Sequence, residues 1–345
     1  MSLIATKNLN IIKQKYNMAH EIDMSKGVAA SWSNKVQAWH KLSTVTHDLK
    51  TSEEILQLSG LNFDVIKEPI YLGNGKIIKD SFATVRQDTG DALGVVGSKY
   101  VVTQNRNSFK FFDEVIGSED VTYETAGALR GGKIIYVTAK LNEGMKINGK
   151  DPHDLYINFY NIHDGSGSIK IYPSITRVVC ANTLSASLHD NKKNKRGGLS
   201  VRHTANQTVR LSQGKDLLKI SREEFQEKKE FLEKLSTVMV SNQTSKELAL
   251  QLICDYAELD SIAKNEPLSV VLSTRKYNIY NSLINSINNG VGQKELGDNA
   301  YKFLNGITYY TSQVKGKQEE RQYDTFFGSS LDMQNKALNL VSNLI

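Results

Sequence analysis

Residues 121–141 read VTYETAGALRGGKIIYVTAKL, and they carry the clearest structural signal in the chain. Two runs rich in Val, Ile, Tyr and Thr flank Arg130-Gly131-Gly132, and a tight glycine turn between such runs predicts an antiparallel hairpin. The pattern continues through residues 154–180. The same strand pattern also precedes the hairpin. Between Phe63 and Val102, apolar and polar residues alternate on either side of the turn sequences GNGK and DTGD. The first half of the chain is therefore predicted to be strand-rich and antiparallel.

Helical signals are short in this half and dominate the second. TSEEILQLSG at 51–60 and NRNSFKFFDEVI at 105–116 combine capping residues with an apolar face, and ANTLSASL at 181–188 predicts the start of a further helix. Amphipathic helix formers prevail from Leu217 onward. The sequence thus predicts an α+β fold with three parts, which are an N-terminal extension (1–17), an α+β core region (18–212) and a helical region (213–345).

Composition excludes several classes of protein. Of the 345 residues, 39% are apolar, which is typical of a globular protein. The chain has 43 Lys and Arg residues and 37 Asp and Glu residues, so its formal charge is +6. No segment is apolar enough to cross a membrane or act as a signal peptide, so a cytoplasmic protein with no membrane partner is expected. Cys180 and Cys254 are too few for a disulfide framework. The seven histidines show no metal-ligand spacing, so neither a metal nor a cofactor is expected.

Basic side chains concentrate between Asp190 and Asp216, where no acidic residue interrupts them. Lys and Arg suit phosphate oxygens, so this segment is a candidate nucleic-acid contact, with a solvated loop or mobile arm as the alternative. Tyr156, Phe159, Tyr160 and Tyr172 are candidate stacking platforms, although most such rings belong to a core. The predicted nucleic-acid-binding residues are Lys192, Lys193, Lys195, Arg196 and Arg202, extended by Arg130, Lys133 and Arg177.

No motif predicts catalysis. His163, Asp164 and Ser166 lie too close along the chain for the linear geometry of a triad, and Asp164-Gly165 with Ser166-Gly167 favours a hairpin turn. The glycine-rich pieces LGNGK, GALRGGK and GVVGSK match neither a phosphate-binding P-loop nor a dinucleotide fingerprint. A hydrolase would have to use scattered acids, and such acids are usually turn residues. Its candidates would be Asp88, Asp91, Glu124 and Asp164.

Several motifs in a fixed order resemble the phage/plasmid-like protein family, a group of unknown function found on mobile elements. They are MAHEIDMSKG, AWHKLST, FATVRQDTGDALGVVGSKYVVTQNRNSFKFFDEV, YETAGALRGGKIIYVTAKL, NIHDGSGSIKIYPSITRVVCANTLSASL and VRHTANQTVRL. The resemblance runs from about residue 18 to about residue 330, and it implies a phage, prophage or plasmid origin inside a bacterial host cell. The order of strands, basic arm and helical region is also similar to that of single-strand annealing recombinases, an analogy at the level of fold.

These observations predict a non-catalytic, ATP-independent protein that binds single-stranded DNA and assists annealing in recombination or replication, as a homo-oligomer. The alternative is an interaction protein that inhibits or diverts a host defence complex, with the helical region as its partner surface. The first hypothesis depends on salt-sensitive contacts from the basic residues. The second depends on a host protein as partner and requires no affinity for DNA.

Overall fold

The computed structural model describes most of the chain beyond the N-terminus. The described residues are 22–35, 43–48, 50–116, 121–177, 179, 182–184, 199–207, 217–316, 321, 324–325 and 328–345. The predicted N-terminal extension, 1–17, lies outside them. The chain divides into two compact units. The first is Met1–Asn142, Ile157–Tyr172 and Gly198–Leu218, and the second is Glu143–Tyr156, Pro173–Gly197 and Lys219–Ile345.

Two sheets contain the described strands. The larger has the order β10-β9-β8-β7-β6-β1-β2, with β11 also paired to β9, and the smaller has the order β3-β4-β5. The strands are β1 (Ser31–Asn34), β2 (Thr44–Thr46), β3 (Val65–Tyr71), β4 (Ile77–Arg86), β5 (Ala92–Gly97), β6 (Val121–Leu129), β7 (Ile134–Ile147), β8 (Asp151–Ile162), β9 (Ile169–Arg177), β10 (Asn182–Leu184) and β11 (Leu199–Val201). The strands β7, β8 and β9 contribute residues to both units.

Helices dominate the second half of the chain. The two helices of the first half are α1 (Ser52–Leu58) and α2 (Asn105–Ile116). Those that follow are α3 (Leu217–Thr237), α4 (Asn242–Ile253), α5 (Tyr256–Ala263), α6 (Leu268–Val271), α7 (Thr274–Asn289), α8 (Ala300–Tyr309) and α9 (Ser329–Ser342). The predicted α+β class, strand-rich first and helical afterwards, is confirmed. No helix among the described residues is long and apolar enough to cross a membrane.

Local sequence explains the well-predicted elements. Helix α1 begins with a capping box, in which the Thr51 hydroxyl accepts from the Glu54 amide and the Glu54 carboxylate accepts from the Thr51 amide. The predicted hairpin joins β6 to β7 through Arg130–Gly132, and the register pairs Leu129 with Ile134. Arg130 and Gly131 both have φ near +60°, which glycine adopts freely. The hairpin prediction is therefore confirmed.

The predicted helix at 181–188 is wrong where the structure describes it. Residues Asn182–Leu184 form β10 and pair antiparallel with Arg177, Thr176 and Ile175 of β9. Likewise, Leu199–Val201 form β11 on β9 within a stretch predicted as a loop or arm. A three-residue strand has almost no local signal, because its stability comes from the strand with which it pairs. Pairing with β9 therefore overrides local helix propensity.

Three of the four candidate stacking rings lie in the core of the first unit, whereas Tyr156 is half-buried and belongs to the second unit. Phe159 packs on Phe112 with ring centroids 5.9 Å apart, and on the other strand face Tyr160 stacks on Tyr172 at 5.8 Å. Phe159, Tyr160 and Tyr172 are all buried. In a strand with one exposed face, every second side chain would be accessible. At the end of β8 both faces are covered, so neither Phe159 nor Tyr160 is exposed. The core interpretation of these aromatics is confirmed.

The second unit has its own core around α8. Nearly every residue from Ala300 to Thr308 is buried. A Cβ atom at Gly306 would lie 2.5 Å from the Ile287 Cα, so glycine at this position lets α8 approach the backbone of α7. Close packing of these two helices accounts for the buried stripe along α7 formed by Tyr280, Leu283 and Ile287.

Candidate nucleic-acid interface

A turn at the end of β8, residues 163–168, organises one end of the first unit. Three other parts of the chain form hydrogen bonds with the backbone of Ile162 and His163. The His163 amide donates to the Lys133 carbonyl oxygen (2.8 Å), the Thr84 hydroxyl donates to the His163 carbonyl oxygen (2.9 Å), and the Tyr100 hydroxyl donates to the Ile162 carbonyl oxygen (3.3 Å). The turn 163–168 is thereby held against the 130–133 turn and the small sheet.

Two glycines allow β5 to approach this turn. A Cβ atom at Gly94 would lie 2.2 Å from the Asp164 carbonyl oxygen, and one at Gly165 would lie 2.9 Å from the Val95 carbonyl oxygen. Gly165 also has φ near +80°. A side chain at Gly94 therefore requires the two backbones to separate, which identifies this glycine as a packing requirement rather than a flexible turn residue.

A groove of about 520 Å³ opens beside the contact between β5 and the turn 163–168. Two cations, Lys99 and Arg202, and three serines supply its polar groups, and glycine backbone forms much of the remainder. Two of the serine hydroxyls, those of Ser168 and Ser200, lie 2.7 Å apart. The lining residues are Gly97, Lys99, Tyr100, Gly165, Ser166, Gly167, Ser168, Ser200, Arg202, His203 and Thr204.

His203 and Tyr100 form the aromatic wall of this groove. Their rings stack with centroids 4.7 Å apart. The Thr103 hydroxyl donates its proton to Gln207 Oε1 (2.7 Å). The hydroxyl oxygen is 3.4 Å from His203 Nδ1 and can only accept a hydrogen bond from that nitrogen. His203 Nε2 is buried and bonds to no described residue. Burial lowers the pKa of His203 from 6.5 to about 4, so the ring is neutral at pH 7.

His163 anchors a second polar cluster beneath the turn. Its Nε2 lies 2.9 Å from Asn105 Oδ1, and the Asn105 amide nitrogen already donates to the Leu61 and Phe63 carbonyl oxygens. This network assigns the ring proton to Nε2, leaving a buried Nδ1 that bonds to no described residue. Complete burial, reinforced by His203, lowers the pKa of His163 to about 3. His163 therefore supports the turn as a neutral structural ring.

The structure brings Arg202 of the predicted site into the groove, where it is exposed. Arg130 is exposed and Lys133 half-buried in the turn bonded to His163, so both lie at the same end of the sheet as the groove. The remaining basic residues of the loop lie outside the described residues, in the segment that leads directly into β11 and Arg202. They are Lys192, Lys193, Lys195 and Arg196.

Arg177 does not lie on such a surface, and its predicted role as a phosphate contact needs correction. Its Nε donates to both Asp151 carboxylate oxygens, at 2.8 and 2.7 Å, and its terminal nitrogens donate to the Gly292 carbonyl oxygen. The Tyr301 hydroxyl donates to the same carboxylate at 2.5 Å. Only 2% of the Arg177 side chain is exposed. Its guanidinium thus joins strands to helices inside the second unit.

The acids proposed for a hydrolase are dispersed rather than gathered into a site. Asp88 pairs with Lys26 (2.6 Å) and Arg86 (2.7 Å), whereas Asp164 accepts from the Ser166 amide within its own turn. The hydrogen bond from the Ser166 amide to Asp164 closes the turn that the sequence predicts at this position, so the turn prediction is confirmed. Across the described part of the chain, no cluster of three His, Cys, Asp or Glu side chains could hold a metal ion.

Sequence reasoning missed Lys99, Ser168 and Ser200 as groove residues. Lys99 is the last residue of GVVGSK, and this piece of sequence predicts only a turn. A sequence signal for the groove did exist, since Lys99 and Arg202 each follow a short β-prone run. Nothing in the sequence, however, places residues 97–100 beside residues 200–204, which are about a hundred positions away.

A family model described as Domain of unknown function (DUF932) matches residues 92–328. The chain belongs to this family. The DUF932 match includes every residue that lines the groove, and it begins at the first residue of β5. None of the curated proteins and none of the solved structures matches the chain. The chemistry of the groove therefore carries the functional argument for this DUF932 protein.

Proposed function

We propose that this DUF932 protein binds single-stranded nucleic acid through the groove, and that it serves a phage or plasmid in DNA annealing. The observation that carries the proposal is the convergence of Lys99 and Arg202 with three serine hydroxyls around a groove of about 520 Å³. Lys and Arg neutralise phosphates, and hydroxyl groups add neutral hydrogen bonds to the same oxygens.

Groove size supports a single strand as the ligand. Pockets of about 300–1,000 Å³ enclose ligands of drug size, so this groove matches one or two nucleotides rather than a base-paired helix. The half-buried Tyr100 ring, which stacks on the buried His203 ring, supplies an uncharged aromatic surface beside the cations. Bases unstacked from a single strand pack on such walls without regard to sequence.

The proposal also includes the basic segment 192–196, which precedes β11 in the sequence, because its Lys and Arg side chains suit phosphate oxygens. Arg130 and Lys133 lie at the same sheet end through the hydrogen bond between His163 and Lys133. These residues continue a basic track beyond the groove itself.

The test is binding of a labelled oligonucleotide, single-stranded or duplex, across salt concentrations from about 50 to 200 mM. Each phosphate contact to a single strand contributes about 0.7 to the slope of log affinity against log salt. Lys99→Met with Arg202→Met should therefore reduce that slope by about 1.4. Lys294→Met, which removes an exposed charge in the second unit, serves as the matched control and should change little.

Weaker binding in the five-residue alanine variant of the loop (Lys192, Lys193, Lys195, Arg196 and Arg202) than in Arg202→Ala alone would extend the interface to the basic segment. Unchanged binding in both the loop variant and the groove variant would refute the proposal. Light scattering on the same samples tests the oligomer, since annealing by neighbouring grooves predicts a large assembly on single strands. Acceleration of the pairing of complementary strands without ATP would support annealing directly.

A second candidate function, capture of a host protein, is favoured by one feature of the helical region. Helices α5 and α6 contain no buried residue, and Tyr256 and Val270 are 86% and 73% exposed. Exposed apolar side chains on adjacent helices are typical of partner surfaces. A stable complex with one host protein that is lost on Tyr256→Ser with Val270→Ser, in a protein without DNA affinity, would favour this candidate.

A further inference from the structure

Lys67 makes an unusual set of contacts with the turn that forms one wall of the groove. Its Nζ lies 2.9 Å from the Tyr100 carbonyl oxygen, 3.0 Å from that of Ser98 and 3.5 Å from that of Gly97. The same ammonium lies 4.5 Å from the centre of the Phe82 ring. One side chain of β3 thus gathers three carbonyl groups of the turn 97–100.

Peptide planarity gives this arrangement a consequence. In a trans peptide the N–H points opposite to the carbonyl of the same unit, and every peptide bond of the described chain is trans. Because the Gly97 and Ser98 carbonyls point toward Lys67, the amides of Ser98 and Lys99 point away from it. Gly97, Lys99 and Tyr100 line the groove, whereas Lys67 and Ser98 do not. Of the two amides that point away from Lys67, that of Lys99 therefore belongs to a residue that lines the groove.

We propose that the turn 97–100 is an anion-binding nest for one phosphate group, and that Lys67 is the positioning residue that holds its amides toward the groove. Successive amides that converge on one point bind anions through their partial positive charges. The side chains of Lys99 and Arg202 add full charges to the same groove. This inference rests on the proposed function for its ligand class, but the nest itself binds phosphate whether or not the phosphate belongs to a polymer.

One acid opposes the anion. Burial and the charge of Asp164 raise the pKa of Tyr100, which places that carboxylate close to the groove wall. Asp164 Oδ1 accepts from the Ser166 amide at 2.8 Å, so its charge is partly satisfied within the turn. The two cations that line the groove exceed this one acid, and the local balance still favours an anion.

The test is a titration of isotope-labelled full-length protein with inorganic phosphate, followed by amide proton and nitrogen chemical shifts. A charge-assisted hydrogen bond moves an amide proton downfield, so the Ser98 and Lys99 signals should move together. Lys67→Met should weaken phosphate affinity about tenfold, which corresponds to about 1.4 kcal/mol, and abolish these two shifts, because the peptide units of the turn lose the charge-assisted hydrogen bonds that hold them. Lys67→Arg, which retains the donors, should restore most of the affinity.

Lys79→Met is the matched control, since Lys79 lies exposed on β4 of the same small sheet and its removal changes the net charge equally. Equal weakening by Lys67→Met and Lys79→Met would overturn the positioning role. Oligonucleotide binding that leaves the Ser98 and Lys99 amides unmoved would overturn the nest while sustaining the proposed function. Phosphate-induced shifts in a protein without nucleic-acid affinity would sustain the nest and refute the proposed function.

Discussion

Acid should destabilise the first unit through two histidines that are buried there, His163 and His203. The folded-state pKa values of His163 and His203 are about 3 and about 4, whereas the unfolded value is near 6.5. Unfolding therefore takes up protons at any pH between these values. The stability contributed by the neutral rings is fully present above pH 6.5 and is lost as the pH falls toward the folded pKa values.

The magnitude follows from proton linkage. Each histidine that is protonated only in the unfolded state changes the free energy of unfolding by about 1.4 kcal/mol per pH unit. Between about pH 7 and pH 5 this amounts to about 2 kcal/mol for each ring and about 4 kcal/mol for both. A typical domain has about 5–15 kcal/mol in total, so the loss should be large. The pKa of Asp88 is lowered from its usual value, so Asp88 changes the free energy of unfolding only at a pH below this range of 7 to 5.

The assay is urea unfolding followed by tryptophan fluorescence at the two pH values. Both tryptophans, Trp32 and Trp39, fall within the Met1–Asn142 segment of the first unit, so the signal reports on the unit that contains the histidines. His203→Phe keeps a ring to stack on Tyr100 and removes the titrating group. It should lower stability at pH 7 but halve the pH dependence. His163→Gln should halve it as well.

A midpoint that stays constant between pH 7 and pH 5, with an unchanged denaturant slope, would refute this reasoning. The same conclusion would follow if the double variant retained the full pH dependence. In that case the protons would bind elsewhere, and the buried rings would not be the neutral supports of the turn 163–168.

Three further predictions concern the residues that build the two units. Asp151→Asn should destabilise the second unit by about 3–5 kcal/mol, because it leaves the buried Arg177 guanidinium without its carboxylate; adding Arg177→Met should cost less than the sum of the single changes, measured by hydrogen exchange in α7 and α8. Gly94→Ala should separate β5 from the turn 163–168 and abolish oligonucleotide binding, while Gly73→Ala, in open space on the same sheet, should bind normally. Asp164→Asn should strengthen phosphate binding severalfold, because the amide oxygen still accepts from Ser166 while the negative charge is gone; equal or weaker binding would show that the carboxylate does not oppose the anion.

The sequence by itself determined those elements whose signals are local. A capping box fixes the start of α1, and the glycine turn at 130–132 between β-prone runs fixes the hairpin of β6 and β7. Arg202 was recognised because a charge-biased segment is visible without any partner. The turn at Asp164 was also predictable, since an Asx side chain and a glycine specify it within a few residues.

Tertiary structure alone decided the elements and contacts whose stability comes from their partners in the fold. The short strands β10 and β11 exist because β9 offers them a ladder, and their local sequences favoured a helix and a loop. Arg177 was predicted to be a phosphate contact, but Asp151 and Tyr301 enclose it, and composition cannot distinguish a buried guanidinium from an exposed one. Lys99 and Arg202 line one groove only in the folded chain, where the Val101 amide donates to the His203 carbonyl oxygen. Charge and turn chemistry are properties of neighbouring residues, whereas burial and convergence are properties of the folded chain.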